Sequence, residues 1–244
     1  MTATTAHPVS AQSLPDQKIS WGLKLLYTFI ALFLISLFYF TIFKPIKVLP
    51  RVSLAPGFAF LNQDGAIKTS EDYRGKLTIY NFTYTGCTGD CAPTTAQMQE
   101  LHKALEQVAG QDVQLALVTI SLDPANDSPE LWKNYAAQYL PAVPGVVSWD
   151  FLTGEVQKTK YVVGGGFSLY YKNLNDAAGR PAVQFQPRFV LVDGWGIIRA
   201  EYRTAQLDIP MVLRDISYLR SEIRNSSGVA RYAYEAAHLF RCYP

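Results

Sequence analysis

Cys87-Thr88-Gly89-Asp90-Cys91 follows directly on the apolar run 77–82 and precedes Ala92-Pro93-Thr94-Thr95 and a stretch with helical spacing. A strand that ends at a cysteine pair opening a helix places two thiols at a helix N-terminus. There the backbone dipole favours thiolate over thiol. Cysteines four apart on one helical turn have neighbouring Cβ atoms, so the pair can close a disulfide or hold a soft metal. Two chemistries follow, thiol–disulfide exchange and copper binding. The bland alternative is a structural disulfide or two inert buried thiols, and the strand-to-helix placement counts against it. Asp90, between the cysteines, opposes thiolate formation and offsets part of the dipole effect.

Few other residues compete for chemistry. The chain has three histidines, His7, His102 and His238. His7 precedes the long apolar segment described below. His102 lies eleven residues beyond Cys91 on the same predicted helix, about 16 Å along its axis, too far to share a metal. His238 and Cys242 are four apart in the C-terminal tail, where a metal pair is conceivable but an unrelated thiol and imidazole are commoner. Met98 reads as core rather than as a thioether ligand. Gly164-Gly165-Gly166 lacks the Lys-Ser/Thr of a phosphate loop and reads as a turn.

The 244 residues carry a formal net charge of +2 from scattered Lys and Arg, so no nucleic-acid surface is expected. Three cysteines are too few for a disulfide framework. Residues 25–43 contain no charge and match the thickness of a bilayer. That length exceeds the apolar region of a cleavable signal, so an uncleaved anchor is expected. Lys18 and Lys24 precede the span, while Lys44, Lys47 and Arg51 follow it, a count that leans against an external C-terminal domain. Long domains translocate largely regardless of flanking charge, and a dithiol site suits an oxidising compartment. The expected location is the bacterial cytoplasmic membrane, single-pass, with the domain on the outer, periplasmic side.

The expected organisation is a polar tail (1–24), an anchor (25–43), a linker (44–55), an α/β domain (56–225) and a C-terminal tail (226–244). Strands are expected at 77–82, 113–122, 146–149, 167–171, 189–192 and 197–202, the last two as a hairpin across Asp193-Gly194-Trp195-Gly196. Helices are expected at 94–108, 129–139 (with Ser128 as N-cap and Pro129 at its first position), 153–163 and 207–223. Strands alternating with helices, then a terminal hairpin and helix, indicate a mixed sheet with helices on both faces, an order that fits a thioredoxin-like fold. The tail from Val229 reads as a solvated or partner-docking helix.

Several stretches together resemble the Sco/SenC family, membrane-anchored thioredoxin-like proteins that help assemble the copper centre of cytochrome oxidase. Pro56-Gly57-Phe58-Ala59-Phe60 with Asp64-Gly65 resembles the family's opening hairpin. Asn81-Phe82-Thr83-Tyr84-Thr85-Gly86-Cys87 with Cys91 and Pro93-Thr94-Thr95 is similar to its metal-binding cysteine segment. Ser121-Leu122-Asp123-Pro124 with Asp127-Ser128-Pro129, and Trp149-Asp150-Phe151-Leu152-Thr153-Gly154, match two further stretches. The resemblance covers about 56–223. It implies that Cys87 and Cys91 carry the function, by thiol–disulfide exchange or by Cu(I) delivery to a respiratory oxidase or another membrane respiratory complex. The chain would then be a thiol–disulfide oxidoreductase or a copper chaperone. A non-catalytic accessory subunit of such a complex is the alternative.

The departure from the family lies near the end of the domain. The family's copper-ligand histidine precedes the strand that ends in an Asp-Gly turn. Aligned on Leu191-Val192-Asp193, that position is Phe185, flanked by Gln184 and Gln186. Pro187 then precedes Arg188-Phe189-Val190-Leu191. Thioredoxin-class oxidoreductases resemble this arrangement, with a cis-proline that faces the cysteines, so Pro187 joins the two cysteines as a candidate catalytic residue. The competing reading is a proline that merely starts a strand.

Overall fold

The computed structural model describes residues 20–43, 46–87, 93–110, 112–175, 179 and 181–240. The chain divides into two compact units, Met1–Ile46 and Lys47–Pro244.

The first unit contains helix α1 (Trp21–Phe43). Its 23 residues rise about 34 Å, enough for a hydrocarbon layer of about 30 Å. Among the described residues it is the one helix long and apolar enough to cross a membrane. It begins at Trp21 rather than at residue 25, because a single lysine (Lys24) in its first turn does not interrupt the apolar run.

In the second unit a six-stranded sheet is built from β1 (Ser53–Leu54), β4 (Lys76–Thr83), β5 (Gln114–Ser121), β6 (Ser148–Leu152), β9 (Phe189–Val192) and β10 (Ile197–Tyr202). Its order is β1-β10-β9-β4-β5-β6. β4, β5 and β6 are parallel, joined through helices α2 (Pro93–Val108) and α3 (Pro129–Ala136). β9 and β10 form the expected hairpin and add antiparallel to β4. A second hairpin, β2 (Ala59–Leu61) with β3 (Ile67–Thr69), stands where the opening hairpin was expected.

The central strands are apolar on both faces, and the period of two sorts their side chains into two layers. Leu77, Ile79, Leu115, Leu117, Trp149, Phe151, Phe189 and Leu191 face a layer with Met98, Leu101 and Leu105 of α2, Trp132 of α3, and Val212, Ile216 and Leu219 of α5 (Ile209–Arg224). Tyr80, Phe82, Ala116, Val118, Ile120, Val190 and Val192 face the other layer. That layer is closed by Phe58 and Phe60 of the opening hairpin, by Tyr73, and by Val162 and Val163 after the short helix α4 (Val156–Lys160). Caps hold where the residues required them. The Ser128 hydroxyl accepts the Leu131 N–H at 3.3 Å, and the Asp208 carboxylate accepts the Met211 N–H at 3.0 Å.

Three segments differ from the sequence reading. Residues 47–55 are not a free linker: Val48 and Leu49 are buried, and Ser53–Leu54 pairs with β10. Arg199, 3% exposed, binds this segment by donating to the Leu49 and Pro50 carbonyls at 2.8 and 2.9 Å. Its charge is met by Asp193 at 2.9 Å and Glu222 at 2.7 Å. Second, no strand forms at 167–171. Phe167 and Leu169 are buried from a loop in which Ser168 takes a φ of 53°, a turn no strand tolerates. Arg188 fixes that turn, donating to the Phe167 carbonyl at 2.9 Å and the Ser168 carbonyl at 3.3 Å. The strand begins instead at Tyr171, as β7 (Tyr171–Asn175), hairpinned with β8 (Pro181–Phe185). Third, the helix expected over 153–163 is α4 followed by a π-helical turn at Tyr161–Gly166, where the three glycines end it.

The tail carries helix α6 (Ala230–Phe240), which packs onto the domain rather than standing in solvent. Ala237 is buried, His238 Nε2 lies 3.0 Å from Glu222 Oε1, and Glu235 lies 3.7 Å from Arg51.

Candidate functional site

β4 ends at Thr83, and a tight turn brings the Cys87 N–H to the Tyr84 carbonyl at 3.1 Å. Cys87 is half-buried against the Tyr80–Phe82 layer and is disulfide-bonded. The chain's other cysteines, Cys91 and Cys242, lie outside the described residues, as do residues 88–92 as a whole. The α2 helix is described from Pro93, so Cys87 sits ahead of the helix at the carboxyl end of a parallel strand. In open α/β sheets that end is where binding and chemistry collect.

The turn is pinned from the neighbouring strand. Asp127, 1% exposed, accepts the Thr85 N–H at 3.1 Å, and it also accepts the hydroxyls of Thr85 and Ser121. Burial pushes the Asp127 carboxyl above the usual carboxylate range, and the three hydrogen bonds oppose that shift. Asp127 was legible only as part of a characteristic stretch. Its role was missed because Thr85 is 42 positions away and meets it only through the β4–β5 pairing.

The β7–β8 hairpin packs on the same apolar layer. Phe185 at the end of β8 and Tyr171 at the start of β7 are register partners, and both pack on the layer that Cys87 touches. Burial, and then the charge of Asp123, raise the Tyr171 hydroxyl above its ordinary value. Phe185 therefore shares a cluster with Cys87 and brings no donor atom to it.

The histidines are elsewhere. His102 is buried on α2 with Nε2 2.9 Å from the Val147 carbonyl and its ring 5.9 Å from Trp149, a core histidine in the helix layer. His238 folds back, but onto Glu222, which Arg199 ties to Asp193. Val192 pairs with Thr78 near the start of β4, so that cluster lies at the end of the sheet opposite Cys87. The five residue steps from Thr78 to Thr83 separate the two ends by about 17 Å. Among the described residues no three His, Cys, Asp or Glu side chains group to hold a metal.

The cis geometry weighed for Pro187 is not found. No described peptide bond is cis, so Gln186–Pro187 is trans, and Pro187 stands two residues before β9 as a proline that starts a strand.

With this geometry in hand, the SCO1/SenC family model matches residues 48–219. The chain belongs to the SCO1/SenC family. A SCO1 protein homolog of Bacillus subtilis is 36% identical over 100 residues, covering 41% of this chain and 49% of that protein. The chain thus spans about half the length of the curated relatives it first matches. A solved structure describing a disulfide switch in BsSco, of the Sco family of cytochrome c oxidase assembly proteins, is 25% identical. Its TM-score is 0.59, and it covers 72% of this chain and 98% of its own. The crystal structure of yeast Sco1 with copper bound is 22% identical with a TM-score of 0.57, covers 75% and 99%, and shares the fold. This SCO1/SenC protein is a mixed α/β, thioredoxin-like domain with helices flanking its central sheet.

Proposed function

We propose that this SCO1/SenC chain serves cytochrome c oxidase assembly through Cys87 and Cys91, which cycle between disulfide and dithiol and hold Cu(I) as cargo when reduced. The observation that carries the reading is the disulfide at Cys87, in a turn pinned by Asp127 at the carboxyl end of β4. Cys91 is the assigned partner because it stands four residues from Cys87, close enough in sequence for one turn of chain to bring the pair into disulfide reach.

The donor inventory sets the metal chemistry. Two thiolates are soft ligands that select Cu(I), whereas Cu(II) prefers nitrogen and oxygen donors. Phe185, where the family carries its copper-ligand histidine, supplies neither, so Cu(I) is favoured and Cu(II) binds weakly. Helix α1 holds the protein in the membrane, single-pass, with the domain on the periplasmic side. The partner is a respiratory oxidase subunit that receives copper or exchanges disulfides. Replacing Cys87→Ser or Cys91→Ser in the parent cell tests this. Both are expected to lower the spectroscopic signal of assembled oxidase, with recovery on added copper. Normal oxidase levels in both variants would refute the reading.

A further inference from the structure

The end of the sheet remote from Cys87 holds a cavity of about 190 Å³. Its floor is the Tyr80 face of the sheet, where Thr78 of β4 and Val192 of β9 are register partners. The chain that follows β1 forms one wall, and the turn carrying Ser70 and Arg74 forms another. An apolar cavity of about 150 Å³ takes benzene, so this one has room for a single ring with a small polar group.

Its polar groups can donate, and they lack an acceptor. Thr78 is 1% exposed, and among the described residues its hydroxyl has no hydrogen-bond partner. A buried hydroxyl left in that state is costly and calls for an explanation. Arg74 packs its guanidinium on Gly196, where a Cβ would stand 2.6 Å from Nη1 and where φ is 77°, so glycine is required twice over. Arg74 Nε donates to Glu71 at 3.2 Å and Nη1 to the Trp195 carbonyl, which uses two of five N–H donors. Its charge is felt at the Tyr80 hydroxyl, which burial raises above its ordinary value and Arg74 pulls back. The Asp193 carboxylate on the rim is already committed, to Arg199 at 2.9 Å and to the Trp195 and Ile197 N–H groups.

We propose that this cavity binds a small carboxylate with a compact, single-ring apolar body: the carboxylate accepts from the Arg74 guanidinium and the buried Thr78 hydroxyl, and the ring lies against Val192, Tyr73 and Tyr80. Arginine matches a carboxylate in geometry as well as charge. Tyr73 and Tyr80 already meet edge-on, their centroids 6.2 Å apart, and a third ring extends that contact. A few convergent polar groups in an apolar concavity are the usual form of a small-molecule site. The site is separate from the cysteine pair and does not rest on its chemistry.

Benzoate is the probe, benzamide its neutral isostere, and inorganic phosphate an anion with no apolar part. Binding to the full chain in detergent is read by isothermal titration and by NMR shifts of the Thr78 and Val192 methyl groups. Benzoate is expected to saturate at one equivalent and to move both methyls. Benzamide should bind at least about tenfold more weakly, and phosphate should not displace benzoate. Arg74→Gln should abolish the preference for benzoate over benzamide. Thr78→Val keeps the shape, loses the hydroxyl, and should weaken benzoate alone. Thermal unfolding run in parallel identifies a variant that fails to fold, in which case the other decides. Absence of saturable benzoate binding, or unmoved methyls, would overturn the proposal. So would equal affinity for benzoate and benzamide, displacement by phosphate, or wild-type selectivity in the folded variants.

Discussion

Asp127 Oδ1 accepts the backbone N–H of Thr85 at 3.1 Å, so a buried carboxylate of the loop after β5 holds the turn that leads β4 into Cys87. Two neighbouring parallel strands thus share responsibility for one cysteine's position. Asp127→Ala leaves a buried N–H and two hydroxyls without their acceptor, and should cost about 2 kcal/mol or more. Thermal unfolding checks the stability. Faster alkylation of Cys87 after reduction checks the loosened turn, and unchanged alkylation would show that the turn holds without Asp127.

The raised Asp127 carboxyl has a definite sign with pH. A folded-state value above the ordinary 3.8 means the folded protein holds this proton more tightly than the unfolded chain. Its contribution to stability is greatest below 3.8 and declines as pH rises from there through the raised value. Asp127→Asn should abolish that decline, measured as the difference between wild-type and variant unfolding free energies across pH 3–7.

Glu222 behaves oppositely. Burial pushes its carboxyl up, but the hydrogen bond and charge of Arg199 outweigh burial and hold it below the ordinary 4.5. Its contribution is present above pH 4.5 and is lost as pH falls through the lowered value. Glu222→Gln should cost about 2 kcal/mol at pH 7, less than for a buried arginine left wholly unpaired, because Asp193 remains at 2.9 Å. A loss that does not shrink as pH falls from 4.5 toward acid unfolding would contradict the assignment.

Much of this was legible in the chain. β4, α2, β5, α3, the β9–β10 hairpin and α5 announce themselves through long apolar periods, a serine cap, and an Asp-Gly turn. The alternation of Phe167 and Leu169 misleads, because a loop with one left-handed residue buries alternate side chains as a strand does. The short β7 is largely exposed and β8 buries Val183 alone, so no apolar pattern marks them. Within the site, the cysteines and Phe185 are visible as residues. Asp127 is not, since it acts on Thr85, 42 positions away, and is placed only by strand pairing.

His238 lies with Glu222 and Arg199, remote from Cys87. His238→Ala should leave copper affinity unchanged and lower stability by about 1 kcal/mol. Isothermal titration with copper before and after the substitution decides it, and a copper site lost with His238 would overturn the placement of the tail.

Phe185 packs on the same apolar layer as Cys87 and occupies the position of the family's copper-ligand histidine. Phe185→His should raise Cu(II) affinity by at least tenfold and leave Cu(I) binding nearly unchanged, since imidazole suits Cu(II) while the thiolates already satisfy Cu(I). Competition titration with a Cu(II) chelator gives the answer. Tight Cu(II) binding by the wild-type chain would mean that another donor has been overlooked.

The most direct test of the account is an anaerobic Cu(I) titration of the full chain in detergent, after full reduction and again after reoxidation. The reduced protein is expected to bind one equivalent of Cu(I), the reoxidised protein none, and Cys87→Ser and Cys91→Ser little in either state. Equal Cu(I) binding by the reduced and reoxidised protein, or its persistence when both cysteines are replaced, would contradict the claim that this pair is the working centre.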